Sequence, residues 1–299
     1  MFTARKNYDG SVERSMDTTQ SIGATSPKFS VVVPLYNKGQ SIKDTINSVL
    51  EQSFRDFELI IVNDGSADNS LQVVREIKDS RIRIIDKKNG GVSSARNRGI
   101  AEAKNEWIAL LDGDDLWLPN HLEDLARAIE VFPDHKVFYT GWTTSEEKDF
   151  RSGFNEFAVE VDDYFRFALN GYGMWSSCVC FHSSLQKKMQ MFCEYLTRGE
   201  DLDLWRRFVM QGKPVFVPTR SAIYRTDGEN RVCLSSQRLS SRLLWWLPLS
   251  SLKGAEYAYF SRMYVALLWK MLRRNPWSFF LLVKRQGVWQ SIKAFFNVL

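Results

Sequence analysis

The sequence predicts an α/β fold: a mostly parallel sheet flanked by helices, with a helical, amphipathic extension at the C-terminus. Three observations carry this. From Phe29 onward, short β-branched runs alternate with segments of helical apolar spacing, the pattern of right-handed βαβ crossovers. The stretches that follow these strands, PLYN, NDGS, KKNGG and DGDD, are the most polar or glycine-rich of the first half. Near Ser240 the composition changes, and tryptophans and cations replace a mixed-charge surface.

The elements follow in order. Residues 1–27 hold hardly a large apolar side chain, too little burial to offset their ordering entropy, so they are expected to form a disordered tail. FSVVVP (Phe29 to Pro34) suits a strand buried on both faces. Ser41, with Asp44 three places on, is an N-cap signature, and Ile42, Ile46, Val49 and Leu50 fall at helical spacing behind it. The alternation continues through FELIIV (Phe57 to Val62), a helix from Leu71 to Lys78, RIRII (Arg81 to Ile85) and a helix from Ser93 to Ala103. WIALL (Trp107 to Leu111) and a helix from Asn120 to Val131 complete it. In such sheets ligands bind beyond the carboxyl ends of the strands.

Composition bounds the rest. With 299 residues and 44% hydrophobic content the chain can bury a full core. The net charge of +5 is uneven: Ser240 to Leu299 carries nine Lys/Arg against Glu256 alone, a surplus of +8, which leaves −3 upstream. Cys178, Cys180, Cys193 and Cys233 lack CxxC spacing and read as reduced core thiols. The N-terminal stretch has no apolar h-region, and no window reaches the roughly 18 apolar residues of a spanning helix. These features lead to an expected cytoplasmic location.

Each strand end has a plain explanation and a sharper one. NDGSADNS (Asn63 to Ser70) uses the residues of tight turns and helix caps. KNGGVSSARNRG (Lys88 to Gly99) is a flexible loop before a helix, or a glycine-bared helix start that approaches phosphate with Arg96 or Arg98 adding charge. It lacks GK[ST], and no GxGxxG follows the first strand. DGDD (Asp112 to Asp115) resists a purely structural account, because each carboxylate raises the cost of ionising the next. A divalent cation relieves that cost, and Mg²⁺ or Mn²⁺ takes carboxylate oxygens together with substrate phosphates.

From Phe29 to Leu125 the chain resembles the family 2 inverting glycosyltransferases of the GT-A fold. The resemblance rests on SVVVPLYN, SVLEQSFRDFELIIVNDGSADNS and NGGVSSARNRGIAEAKNEWIALLDGDDLWLP, in that order. It implies a catalytic domain over 28–235, with a nucleotide-sugar half at 28–130 and an acceptor half at 131–235, followed by the extension at 236–299. Carried over by position, it implies that Tyr36 stacks on the nucleotide base above a floor shaped by Pro34 and Leu35, and that Asp64 hydrogen-bonds that base. Asn63 stands where many relatives have a second Asp. Arg96 is expected near the phosphates, Asp112 toward ribose or metal, Asp114 as metal ligand, and Asp115 as support for the loop. The cofactor so implied is Mn²⁺ or Mg²⁺, clamping a nucleotide-sugar diphosphate.

An inverting transfer needs a base for the acceptor hydroxyl. TRGEDLDLWRRF (Thr197 to Phe208) matches the family's acidic pair at a helix start, which makes Asp201 the expected base and Glu200 the second candidate. Without the upstream motifs the same acids would read as a helix N-terminus suited to the macrodipole. His182 reads as a lone polar residue at a strand edge. Processive relatives carry QxxRW and several spanning helices; LWRRFVMQGKP has neither, which implies one sugar per encounter. VPTRSAIYRTDGEN (Val217 to Asn230) resembles the family's closing strand, from which Arg225 could reach a diphosphate, with a polar loop after it that could fold over the donor.

In the extension, Trp245, Trp246, Trp269, Trp277 and Trp289 are interspersed with Lys/Arg. Basic, aromatic-rich helices of this kind lie in the plane of anionic membranes, while packing on the domain or on a second copy is the plainer alternative. No nucleic-acid module is visible. The expected partners are therefore a UDP-sugar donor, a glycan or lipid-linked acceptor and an anionic membrane surface, with the protein peripheral at the inner face. A nucleotidyltransferase would show a glycine-rich loop where PLYNKGQ stands, and a non-catalytic scaffold would have a broken DxD or a lost base; neither fits.

Overall fold

The computed structural model describes residues 3–6, 12–15, 26–146, 154–229 and 242–297. Strands β3 (Phe29–Leu35), β4 (Phe57–Asp64), β5 (Ile82–Lys87) and β6 (Trp107–Leu110) are joined by helices α1 (Ile42–Leu50), α2 (Ser70–Glu76) and α3 (Val92–Glu102). These four strands are parallel, in the spatial order β6-β3-β4-β5. Every residue of β3 is buried, as a β-branched run covered on both faces requires.

Beyond β6 the sheet is mixed. The short β7 (Leu116–Trp117) and helix α4 (His121–Val131) precede β8 (Val137–Thr144), β9 (Val159–Glu160), α5 (Tyr164–Leu169) and β10 (Val179–His182). Helix α6 (Glu200–Val209) and β11 (Val215–Tyr224) follow. β10 lies between β6 and β8, antiparallel to both, and β11 pairs parallel with β8 while also holding β7 and β9. One sheet thus runs through both halves, with the parallel register concentrated in the first.

The expected tail at 1–27 lies largely outside the described residues. Within it, β1 (Thr3–Lys6) and β2 (Val12–Ser15) pair antiparallel, and β2 touches β9 through Val12 and Glu160.

The extension forms α7 (Leu243–Trp246), α8 (Gly254–Arg274), α9 (Pro276–Gln286) and α10 (Val288–Phe296). Asn275 caps α9 by accepting the Ser278 N–H at 3.1 Å, with Pro276 at its first turn. These helices have their own apolar cluster around Leu249, Phe260, Tyr264 and Leu282. The cluster is joined to the sheet-bearing part of the chain where Phe165 meets Tyr259 and Phe260 and where Arg206 pairs with Glu256 at 2.5 Å. The extension therefore packs on the rest of the chain through one side. Its other side leaves Trp269, Trp277, Phe280, Trp289 and Phe296 exposed.

Candidate active site

The carboxyl ends of β3, β4 and β6 open onto one region, and the DGDD turn sits in its middle. Gly113 is needed there because a Cβ would stand 2.8 Å from the Pro34 carbonyl oxygen. The three aspartates of the turn do not share a ligand; each has its own partner. Asp112 Oδ1 accepts from Arg96 Nη2 at 2.6 Å. Asp114 Oδ2 meets Lys38 Nζ at 2.5 Å. Asp115 is buried, accepting from Ser177 Oγ at 2.6 Å and from the Arg225 N–H at 3.2 Å. Ser177 Oγ also accepts the Asp112 N–H at 3.1 Å, so one hydroxyl ties both ends of the turn.

Two cations thus lie against the acidic turn where the sequence suggested a metal alone. Among the described residues no group of three potential ligands is gathered closely enough to hold an ion. The donor set nevertheless fits a hard cation. Asp112 Oδ2 has no partner among the described residues. Asp114 titrates above the ordinary carboxylate range because burial, assisted by Asp112, outweighs Lys38. Asp115 is raised further, by burial and then by both neighbouring aspartates. Burial is the main cause in both, and two carboxylates suffice for an ion that also takes substrate phosphates.

Arg96 is the centre of a second cluster. It is 4% exposed, lies over the Phe192 ring at 5.0 Å, and reaches Glu200 Oε1 at 3.3 Å as well as Asp112. Its Nε has no hydrogen-bond partner among the described residues. Burial works against its charge, and Asp112, Glu200 and Asp201 more than offset that, holding it protonated. Glu200 and Asp201 open α6, whose register is fixed by buried Leu204, Trp205 and Phe208. Burial, then the Asp201 charge, pushes Glu200 up to about 7 against the pull of Arg96. Asp201 is also raised, mainly by burial; its Oδ1 accepts the Leu202 N–H at 2.8 Å. The structure brings the acids of DGDD and of the GEDLD helix together through this single guanidinium.

The remaining predicted residues are placed as follows. Pro34 lies buried in β3, and Tyr36 is exposed just past the strand. Asp64 is engaged within the chain: Oδ1 accepts from Lys87 Nζ at 2.6 Å and the Gly90 N–H at 2.9 Å, and Oδ2 accepts the Gly91 N–H at 2.8 Å. It thereby holds the glycine loop before α3. Arg225 turns its guanidinium to Asp227 and Asp44, each at 3.2 Å. His182 bonds Ser184 at the end of β10. The polar loop expected to cover the donor lies, beyond residue 229, outside the described residues.

Sequence reasoning missed Lys38 and Glu229. Lys38 bridges Asp114 and the Glu229 carbonyl oxygen. The Glu229 carboxylate accepts the N–H groups of Gln40 at 3.0 Å and Ser41 at 3.2 Å and the Ser41 hydroxyl at 3.1 Å. Burial opposes its ionisation, but these donors hold it below its ordinary range. The expected cap of α1 is corrected: Ser41 occupies the N-cap position but makes no capping bond from its side chain, because its backbone already has helical angles (φ −99°, ψ −30°) and its hydroxyl is turned to Glu229. Gly228 permits this, since a Cβ there would stand 2.6 Å from Asp114 Oδ2. A lysine directly after a strand-end PLYN was the one signal available.

Comparison with known proteins adds to this geometry. The profile described as "Glycosyl transferase family 2" matches residues 30–189, more than half of the chain. An uncharacterized glycosyltransferase of Rickettsia typhi is 31% identical over 62% of this chain and 59% of its own length. Glycosyltransferase GlyG of Streptococcus pneumoniae is 29% identical over 67% of this chain and 71% of its own. The chain thus spans less than two thirds of the Rickettsia relative. Among solved structures, S. aureus TarS 1-349 in complex with UDP-GlcNAc superposes with a TM-score of 0.67 at 21% identity, covering 89% of this chain and 79% of that one, a likeness of fold.

Proposed function

Because the chain belongs to glycosyl transferase family 2, we propose that it moves a single hexosyl or N-acetylhexosaminyl unit from a nucleotide-sugar, UDP-linked by preference, to a lipid-linked or surface-polysaccharide acceptor, with inversion. The observation that carries this is the convergence of Asp112, Glu200 and Asp201 on buried Arg96, beyond the carboxyl ends of a parallel sheet. The UDP and UDP-GlcNAc complexes of S. aureus TarS support the choice of donor.

In this reading Tyr36 stacks on the base and Pro34 forms the floor of its pocket. Asp64 hydrogen-bonds the base with its remaining acceptor position while ordering the glycine loop before α3. Asp112 and Asp114 would hold Mn²⁺ or Mg²⁺, which when bound neutralises charge gathering on the departing diphosphate. Lys38 would then leave Asp114 and face the same phosphates, as Arg225 can on release from Asp44. Asp201 takes the proton of the acceptor hydroxyl while that oxygen attacks the anomeric carbon from the opposite side. The base role falls to Asp201 over Glu200 because Arg96 occupies Glu200, whereas Asp201 makes no ion pair among the described residues. Arg96 keeps Glu200 and Asp112 apart in charge and fixes the distance between donor and base.

The extension supports a peripheral location at the inner face of an anionic membrane. No helix among the described residues is long and apolar enough to cross one. Exposed aromatics alternate with cations on α8, α9 and α10, the composition of helices lying in the interface.

The test is direct. UDP- and GDP-sugars are screened with Mn²⁺ for thermal stabilisation, and Asp201→Asn is then assayed for binding and transfer separately. The reading predicts retained donor binding with transfer lost; transfer in Asp201→Asn at the parent rate would remove Asp201 from the base role.

A further inference from the structure

We infer that the groove enclosed by α8, α9 and α10 seats the acyl chain of an anionic membrane phospholipid. This rests on the membrane reading above and adds a defined site to it. The groove has a volume of about 410 Å³, and its walls include Leu268, Trp269, Leu272, Val283, Ile292 and Phe296, a size and lining suited to a hydrocarbon ligand. Ser291 also lines it, but its hydroxyl is already bonded to Tyr264 at 2.7 Å and to the Gly287 carbonyl at 3.0 Å. No demand for a polar ligand is left on that wall.

The charge on the groove-forming helices decides between occupants. Helices α8, α9 and α10 carry Arg262, Lys270, Arg273, Arg274, Lys284, Arg285 and Lys293 against Glu256 alone, and Glu256 is consumed by Arg206. A second copy docked on this face through a two-fold axis would set the same cationic surface against itself. An anionic headgroup meets the opposite sign, while its chain fills the apolar walls.

The groove and the wider interface can be separated by residue. Phe296 is 71% exposed and lines the groove; Trp277 is 78% exposed and does not. The full chain is titrated by calorimetry with an ascending series of monoalkyl phosphates below their micelle concentrations, and separately with phosphatidylglycerol vesicles. Affinity should rise about fourfold per methylene, the equivalent of ~0.8 kcal/mol, and then level off once the chain outgrows the groove. Phe296→Asp should weaken monomeric alkyl phosphates at least tenfold, Trp277→Asp should leave them unchanged, and both should weaken vesicle binding. Leu272→Asp is the second groove variant, with circular dichroism confirming that each variant is folded.

Affinity independent of chain length, or equal effects of Phe296→Asp and Trp277→Asp on alkyl phosphate binding, would overturn the assignment. So would a dimer in sedimentation that Phe296→Asp dissolves, since a second copy would then cover the groove. If vesicle binding survives such a result, the interface reading stands without the groove; if vesicles are not bound either, that reading falls too.

Discussion

Replacing Arg96 by methionine tests the charge cluster most directly. The guanidinium is buried, contacts Asp112 at 2.6 Å and Glu200 at 3.3 Å, and its charge also favours the ionised form of Asp201. Methionine is comparable in length and can keep contact with the Phe192 ring. Above pH 7 the loss leaves carboxylates ionised without their partner, and breaking a buried pair in this way costs about 3–5 kcal/mol. Arg96 Nε has no partner among the described residues, so its removal returns part of that, and about 3 kcal/mol is expected. For a domain of this size that corresponds to a fall in Tm of roughly 6–12 °C. Near pH 5, Glu200, which titrates at about 7, is already protonated, and the loss should shrink to about 1–2 kcal/mol. Urea denaturation of the metal-free protein at both pH values measures this. Adding Asp112→Asn to the variant should restore part of the loss, because the two residues are coupled. An equal loss at both pH values would refute the electrostatic argument and leave Arg96 as a packing residue.

Other outcomes follow from the same structure. Glu200 is raised from 4.5 to about 7, so the folded state binds its proton more tightly; the stability this gives is complete below pH 4.5 and is lost as pH rises through 7. Glu200→Gln should therefore flatten stability against pH across that window by about 3 kcal/mol, read from denaturation midpoints; an unchanged slope would contradict the burial of this acid. Gly113→Ala places a Cβ 2.8 Å from Pro34 O and should cost about 1–3 kcal/mol, with donor binding lost before folding is. Glu229→Gln should speed hydrogen exchange at the Gln40 and Ser41 amides, since it weakens the charge that both donate to. Unaltered exchange at those amides would mean that the carboxylate does not hold them.

Much of the fold was readable because its signals are local. The buried run Phe29 to Leu35, the apolar spacing of Ile42, Ile46 and Val49, and the acids that open α6 each depend on neighbours a few positions away. The DGDD turn was readable as a site for the same reason: clustered like charge needs an explanation wherever the chain places it. What supplies the positive charge was not readable. Lys38 lies 76 residues from Asp114 and Arg96 lies 104 from Glu200, and each is one cation among forty. The cap on α1 failed for a related reason. Ser41 followed the local rule, but its backbone takes helical angles and its hydroxyl turns to a carboxylate 188 residues away. The place of β10 was equally hidden, since no periodicity records which strands become neighbours.

That place has a consequence for how the protein is made. β6 ends at Leu110, and the strand that covers its open side begins at Val179. While the ribosome adds the intervening residues, a nascent first half presents bare amide and carbonyl groups along β6, an invitation to mispairing. Closing that seam requires a long-range encounter, which is slow relative to local contacts. A fragment ending after α4 should accordingly self-associate, and chaperone demand during synthesis should fall sharply once β10 has emerged.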